Sequence, residues 1–351
     1  MIKVAINGFG RIGRQAFKVW FDKYQEEMSI VAVNDLTDAV VLAHLLKYDS
    51  VYGKWDREVV GKKLIDDIKQ ARDSQAVGNI TVDRVDVATY ATKDPEKLPW
   101  KSLRVDVVIE STGRFTASNA AAGHIKAGAK KVVISAPGKE TPTFLIGVNE
   151  DKYKGEDIIN NASCTTNCIA PVAKVMHEKF GVAKALMTTI HAVTAEQNLV
   201  DGPPPGGKAN DLRRARAAYI NIIPTTSGAA ISTTEAIPEL KGKFDGMAFR
   251  VPVSIGSISD FTFLLGKRAS VEEVNNVLTE AAKKMPQILA VSDEPLVSTD
   301  IIGRSESAIV DLPLTQVVDG DLVKVFAWYD NEYGYSNRLI EQVITIGRSA
   351  S

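Results

Sequence analysis

Ile2–Asn7 (IKVAIN) runs straight into Gly8-Phe9-Gly10-Arg11-Ile12-Gly13, and the chain continues as Arg14-Gln15-Ala16-Phe17-Lys18-Val19-Trp20. The first stretch is a short apolar strand pattern, and the last places Ala16, Val19 and Trp20 at helical spacing. Strand, glycine-rich turn and helix in that order predict the opening of a doubly wound α/β domain of the Rossmann type. The glycines allow a tight turn and let a pyrophosphate approach the backbone. The helix N-terminus adds amide donors and the positive end of its dipole. A plain tight turn would also explain an isolated Gly-x-Gly-x-x-Gly. Here a second strand pattern, Ser29–Val33, ends at Asn34-Asp35. An acid roughly 20 positions past the glycines is placed for ribose hydroxyls. Gly8, Gly10, Gly13 and Asp35 are therefore candidate dinucleotide contacts. The Asp35 carboxylate favours NAD, since it would repel the 2′-phosphate of NADP.

Further strands are expected at Val85–Tyr90, Val105–Ser111 and Lys131–Ser135. Asp106-Val107-Val108-Ile109-Glu110 is apolar at its centre, as a strand buried on both faces should be. Ser111-Thr112-Gly113 and Ser135-Ala136-Pro137-Gly138 lie just past strand ends, where such sheets bind ligands; ordinary turn chemistry explains them equally well. The polar segment Val59–Ile80 reads as a surface helix or hairpin insertion without chemistry. With 351 residues the chain has room for two domains. A formal net charge of -1 favours neither nucleic acid nor an anionic membrane as a general partner. Met1 leads into Lys3-Val4-Ala5-Ile6-Asn7, which is no signal-peptide core, and no apolar run approaches a membrane span.

The chain has two cysteines, Cys164 and Cys168, in Ser163-Cys164-Thr165-Thr166-Asn167-Cys168. A disulfide between neighbouring helical turns would cross-link nothing distant, and no metal site is expected; a reducing, cytoplasmic setting fits best. Ser163 is a candidate N-cap for a helix running through Ile169–Phe180. That places Cys164 in the first turn, where the dipole favours a thiolate. Pro171 should kink or break this helix. Cys168, one turn deeper, reads as a buried hydrophobe.

A nucleophilic thiol needs a base, and there are four histidines. His44 and His124 belong to helical patterns of the first half. His177 lies 13 residues along the same helix, ~20 Å away at helical rise. His191 ends the strand pattern Ala183–His191, which returns after Gly181 and covers ~30 Å. An antiparallel return of that length brings His191 level with Cys164, so it is the candidate base.

Five segments together resemble phosphorylating glyceraldehyde-3-phosphate dehydrogenase: Asn7–Arg14 (NGFGRIGR), Ser163–Cys168 (SCTTNC), Asp211–Ala218 (DLRRARAA), Ile223–Ala230 (IPTTSGAA) and Trp328–Ser336 (WYDNEYGYS). The resemblance spans nearly the whole chain. It implies Cys164 as nucleophile and His191 as base. It implies Arg11, Ile12, Asp35, Lys93, Ser135 and Asn331 as NAD contacts, with Asn331 on the nicotinamide amide. It also implies two anion pockets built from Ser163, Thr165, Thr194, Arg214, Ser227, Gly228 and Arg250. One would take the phosphate of glyceraldehyde 3-phosphate, the other inorganic phosphate; hydroxyls and arginine forks suit such oxygens. A homotetramer is implied as well.

Three places depart from the family pattern. Ser227 stands where a third threonine is usual, and Lys93 where arginine is common. The loop 201–210 is longer than usual, and Gly202 lacks a bulky side chain that helps exclude a 2′-phosphate. NADP use therefore stays open. The implied reaction passes through a Cys164 thioester that phosphate cleaves, with the backbone N–H at Cys164 and His191 stabilising the developing oxyanion. Erythrose-4-phosphate dehydrogenase, a dual-cofactor variant and a non-catalytic binding role are the alternatives. The expected layout is a Rossmann-type domain over 1–163, a catalytic α+β domain over 164–330 with a mainly antiparallel sheet, and a C-terminal helix over 331–351 packing back on the first. Met247–Pro252 and Ile258–Leu265 read as strands of that sheet, and Val271–Lys284 as a helix.

Overall fold

The computed structural model describes residues 1–204 and 211–349. It divides into two compact units, one formed by residues 1–144, 152–162 and the chain end from Ser336, the other by residues 145–151 and 163–335. The longer loop read at 201–210 lies partly outside the described residues.

The first unit holds β1 (Ile2–Asn7), α1 (Arg11–Lys23), β2 (Met28–Asn34), α2 (Ala39–Lys47), the short ribbon β3 (Tyr48–Asp49) and β4 (Gly53–Lys54), β5 (Val59–Lys63), β6 (Gly78–Val82) and β7 (Val85–Tyr90). Then come α3 (Trp100–Leu103), β8 (Val107–Glu110), α4 (Ser118–Lys126), β9 (Lys131–Ile134) and β10 (Ile158–Asn160). The sheet order is β10-β9-β8-β1-β2-β7-β6-β5. The strands from β10 to β7 pair in parallel, and β6 and β5 add an antiparallel edge. Sequence order reverses on either side of β1, the switch point where such sheets open a crevice at their carboxyl ends. The polar 59–80 segment is thus an edge hairpin, not a helix.

Core-facing residues explain why this sheet is continuous. Ala5, Ala32, Val108, Val132 and Ile134 pack with Trp100, Tyr90 and Ala121 in one buried cluster. On α1, Phe17 meets Phe9 and Trp20 edge-on, a geometry worth more than its area alone. β8 ladders only over Val107–Glu110, shorter than the expected Val105–Ser111. Beyond Ser336, the chain returns against α1: Lys23 donates to Asn337 at 2.7 Å and Tyr24 to Glu341 at 3.2 Å.

The second unit contains α5 (Cys164–Phe180), β11 (Val182–His191), β12 (Ile223–Thr226), α6 (Ala229–Ala236), β13 (Phe244–Arg250), β14 (Ser257–Leu265), α7 (Val271–Lys284), β15 (Leu289–Ser292), β16 (Ala308–Asp311), β17 (Gln316–Val318) and β18 (Leu322–Tyr329). The last helix, α8, is Tyr333–Arg348. Its sheet runs β12-β13-β11-β14-β18-β16-β15, with β17 on β18. Only β11–β13 and β15–β16 pair in parallel among the described strands, so the sheet is mainly antiparallel. β13 spans Phe244–Arg250 and stops before the expected Pro252, which has no N–H for a ladder.

Helix α5 begins at Cys164 itself and continues unbroken through Pro171, where a kink or break was expected. Proline removes one N–H bond to Asn167, and burial of the helix compensates: Cys168, Ile169, Ala170, Val172 and Ala173 are fully buried. Among the described residues no helix is long and apolar enough to cross a membrane, and no group of three or more His, Cys, Asp or Glu could hold a metal ion.

Candidate active site

In the first unit the three glycines do different work. Gly8 has φ +96°, and a Cβ there would lie 2.6 Å from the Thr112 nitrogen. A Cβ on Gly13 would lie 2.2 Å from the Gly8 oxygen, so Gly13 is what lets α1 pack onto the turn. A Cβ on Gly10 would meet nothing within 4 Å. No protein atom requires glycine there, which leaves the start of α1 open to an approaching ligand. Asp35 accepts from the Phe9 N–H at 2.9 Å, tying the end of β2 to the glycine turn. Beside it opens a pocket of about 520 Å³ lined by Gly8, Asp35, Lys93, Thr112, Arg114 and Phe115, among others. These residues fit a dinucleotide. Arg11 and Ile12 open α1, and Arg11 pairs with Asp49 at 3.0 Å. Ser135 follows β9, where its N–H donates to Glu110 O.

Under this pocket lies a polar network that the sequence did not reveal. Glu110, 1% exposed, accepts from Asn7 at 2.5 Å, from the Thr112 N–H at 2.9 Å and from the Thr112 hydroxyl. His124 Nδ1 accepts from Trp100 Nε1 at 2.9 Å, which puts its own proton on Nε2, 3.0 Å from Glu110. A polar side chain buried this deeply is kept because each of its partners is itself held. His124, read only as part of a helix, thus supports the carboxyl end of β8.

In the second unit Ser163 caps α5: its Oγ accepts from the Thr166 N–H at 3.0 Å. Cys164 occupies the first turn, and its Sγ lies 3.3 Å from His191 Nε2. The return-strand length argument therefore selects a histidine that does reach the thiol. His191 Nδ1 lies 2.6 Å from the Ala192 carbonyl and 3.0 Å from Arg250 Nη1; the shorter contact, to an oxygen that can only accept, places the ring proton on Nδ1 and leaves Nε2 as acceptor toward sulfur. Burial, then the Arg250 cation, pushes the His191 pKa down to about 3. The thiol departs from expectation. Burial pushes Cys164 up, outweighing the pull of Arg250 and of the Thr165 contacts. Cys168 Sγ is buried 3.8 Å from the Ala327 carbonyl, and burial raises its pKa as well.

Two arginines flank this pair. Arg250 Nη1 donates to the Ala192 carbonyl and the Thr194 hydroxyl, both at 3.2 Å. Its Nε is buried without a partner among the described residues. Arg214 Nε donates to Thr225 at 2.9 Å, and its guanidinium also pairs with Asp211 and Glu196. Ser227 and Gly228 precede α6, with Ser227 Oγ accepting from the Ala229 N–H at 3.2 Å. Thr165 is buried and its hydroxyl meets Tyr329 at 2.9 Å. Asn331 Oδ1 accepts from Ser257 at 3.0 Å and from the Gly256 N–H at 3.3 Å, which orients its amide. Thr165, Thr194, Arg250 and His191 thus gather around Cys164. Arg214 stands close enough for its charge to act on His191. Ser163 is committed to its cap.

Sequence reasoning missed Tyr329. Its hydroxyl bridges Thr165 on α5 and Thr189 on β11 at 2.9 and 2.7 Å, and its ring meets His191 edge-on. A signal existed: Val323, Val325, Ala327 and Tyr329 alternate inward on β18, and a tyrosine ending a buried stripe needs a polar partner. Glu196, Asp211 and Ser257 carried no comparable pattern.

A Rossmann-type sheet with a glycine turn at the start of its first helix, and a separate unit holding a thiol, an imidazole and two arginines, have the make-up of an NAD-dependent dehydrogenase. Residues 2–118 match the glyceraldehyde 3-phosphate dehydrogenase NAD-binding domain, and 163–331 match the C-terminal domain of the same family. Glyceraldehyde-3-phosphate dehydrogenase of Geobacillus stearothermophilus is 50% identical, covering 97% of this chain and 96% of its own length. Those of Mycolicibacterium smegmatis and Mycobacterium tuberculosis are each 48% identical, with 99% of both chains covered. The chain belongs to the glyceraldehyde-3-phosphate dehydrogenase family.

Proposed function

We propose that this chain oxidises glyceraldehyde 3-phosphate and joins the product to inorganic phosphate, giving 1,3-bisphosphoglycerate, with Cys164 as nucleophile and His191 as base. The 3.3 Å approach of Cys164 Sγ to His191 Nε2 carries this reading. NAD, when bound, supplies the acceptor for the hydride. Sγ adds to the aldehyde carbon while its proton passes through His191 to the carbonyl oxygen. His191, neutral again, takes that hydroxyl proton as the carbon is oxidised, leaving a thioester on Cys164. Phosphate attacks the thioester, and the departing sulfur recovers a proton from His191. The Cys164 N–H in the first turn of α5 faces the charge that develops on oxygen. We assign Gly8, Gly10, Arg11, Ile12, Gly13, Asp35, Lys93, Ser135 and Asn331 to NAD, and Thr165, Thr194, Arg214, Ser227, Gly228 and Arg250 to phosphoryl oxygens.

Cys164→Ser is expected to abolish turnover while NAD still quenches protein fluorescence; near-normal activity in that variant overturns the scheme. Wild type mixed with aldehyde and NAD but no phosphate should release about one NADH per site and then stall. A steady phosphate-independent rate would instead indicate release of a free acid. A homotetramer fits the exposed apolar residues Leu186 on the second sheet and Ile231 on α6, which are 66% and 64% exposed. A cytoplasmic location fits a mechanism that needs a reduced Cys164.

A further inference from the structure

The two arginines assigned to phosphoryl oxygens have unlike surroundings. Arg250 Nη1 lies against uncharged groups only, the Ala192 carbonyl, the Thr194 hydroxyl and His191 Nδ1, and its Nε is buried without a partner among the described residues. Arg214, with an 8% exposed side chain, is already neutralised: Asp211 lies 3.1 Å from its Nε, and Glu196 contacts its Nη1. Glu196 also acts electrostatically on Arg250. Taken as a cluster, two cations face two carboxylates, so the resting charge is zero.

The two carboxylates are not equivalent. Asp211 is locked from several sides: it accepts from the Thr225 hydroxyl at 3.0 Å and from the Arg214 N–H at 3.3 Å. Its side chain is 25% exposed, against 35% for Glu196. Glu196 sits on the same turn as Thr194, a turn closed by Gln197, whose N–H donates to Thr194 O at 2.9 Å while its Oε1 accepts from the Thr194 N–H at 3.1 Å. One turn therefore offers a hydroxyl donor and a carboxylate to the same place. A phosphoryl group arriving there brings up to two negative charges beside Glu196, and the two anions compete for the Arg214 Nη1 edge.

We propose that Glu196 is an internal counter-ion of the anion site, occupying Arg214 in the resting protein and being displaced when a phosphoryl group binds. The proposal rests on the reading of this site as phosphoryl-binding. It makes Glu196 a determinant of anion affinity, set against binding, whereas a positioning role would set it in favour. Glu196→Gln distinguishes the two, because the amide oxygen can still accept from Arg214 while the charge is gone.

The test measures KM for inorganic phosphate at saturating aldehyde, and KM for glyceraldehyde 3-phosphate at saturating phosphate, in wild type, Glu196→Gln and Glu196→Ala. Removing an opposing, partly exposed charge should lower one or both constants by about threefold or more in both variants. The constant that falls says whether the site takes the free phosphate or the substrate's phosphoryl group. Inorganic phosphate should also raise the thermal midpoint of Glu196→Gln more than that of wild type. Unchanged or raised constants in Glu196→Gln overturn the proposal; so does a rise in Glu196→Ala rescued by Gln, which marks a positioning residue. If wild type shows no phosphate dependence at all, the underlying functional reading has failed instead.

Discussion

Cys164 and His191 are 27 residues apart in sequence and meet because a helix and its return strand cover similar lengths. Their protonation is set by burial, which position in the chain does not disclose. The start of α5 located the thiol, but burial raises its pKa against the pull of Arg250 and of the Thr165 contacts, an opposing effect that position in the chain does not disclose. This has a measurable consequence. Arg250→Gln removes the cation that pulls the thiol down, so alkylation of Cys164 by iodoacetamide at pH 7 should slow by about three- to tenfold, and its pH profile should move to higher pH; a faster reaction contradicts the assignment. His191→Asn should lower kcat by roughly 10²- to 10⁴-fold, the usual worth of a general base. It also bears on stability. Burial holds the folded pKa at about 3, below the ordinary 6.5, so the unfolded chain binds more protons between those values. Stability from this group is complete above about pH 6.5 and is lost as pH falls toward 3, by up to ~1.4 kcal/mol per pH unit. Denaturant midpoints across pH 3–6.5 should fall less steeply in His191→Asn than in wild type.

At the scale of elements, the legible parts were those with local chemistry. The first strand, glycine turn and helix follow from IKVAIN-GFGRIG because hydrophobic period and turn residues act over a few positions. The same holds for the Ser163 cap, and replacing Ser163 by Ala should cost ~1 kcal/mol of stability, read from urea unfolding. Contacts between elements were less legible: the anion residues Thr194, Arg214 and Arg250 come from separate loops and strands, and only motif resemblance gathered them. Tyr329 and Glu110 escaped because their partners are set by sheet register and depth. The glycine turn gives a sharper test of what the structure adds. Gly13→Ala drives a methyl to 2.2 Å from the Gly8 oxygen and should lower the thermal midpoint by several degrees. Gly10→Ala meets no protein atom, so its midpoint should stay near wild type. Its affinity for NAD, measured by calorimetry, should nonetheless fall about tenfold or more, because the methyl stands where a pyrophosphate approaches. Equal NAD affinity in Gly10→Ala contradicts that placement.

At the scale of the molecule, the second sheet has more apolar surface than one core consumes. Its inner face turns Ala185, Met187, Phe261, Phe263, Val323 and Val325 into the interior. The alternate residues form the other face: Ile190 opposes Ile258, Ile258 opposes Trp328, and Leu264 opposes Leu322 across the ladder. Leu186, Met247, Leu264 and Leu322 there are 36–66% exposed, and a groove of about 820 Å³ runs past Leu186, Ile231, Phe244 and Leu264. Asp260 and Lys324, paired at 2.6 Å, interrupt this face, and the exposed leucines beside them leave apolar surface that a twofold partner would cover with itself. Under that symmetry each substitution enters the interface twice. Leu186→Arg therefore places two buried cations in one contact, while in the isolated chain it alters only an exposed side chain. Light scattering at micromolar concentration should find wild type as a tetramer and Leu186→Arg as smaller species with unchanged circular dichroism. If the variant keeps the wild-type mass, this face is not where copies of the chain meet.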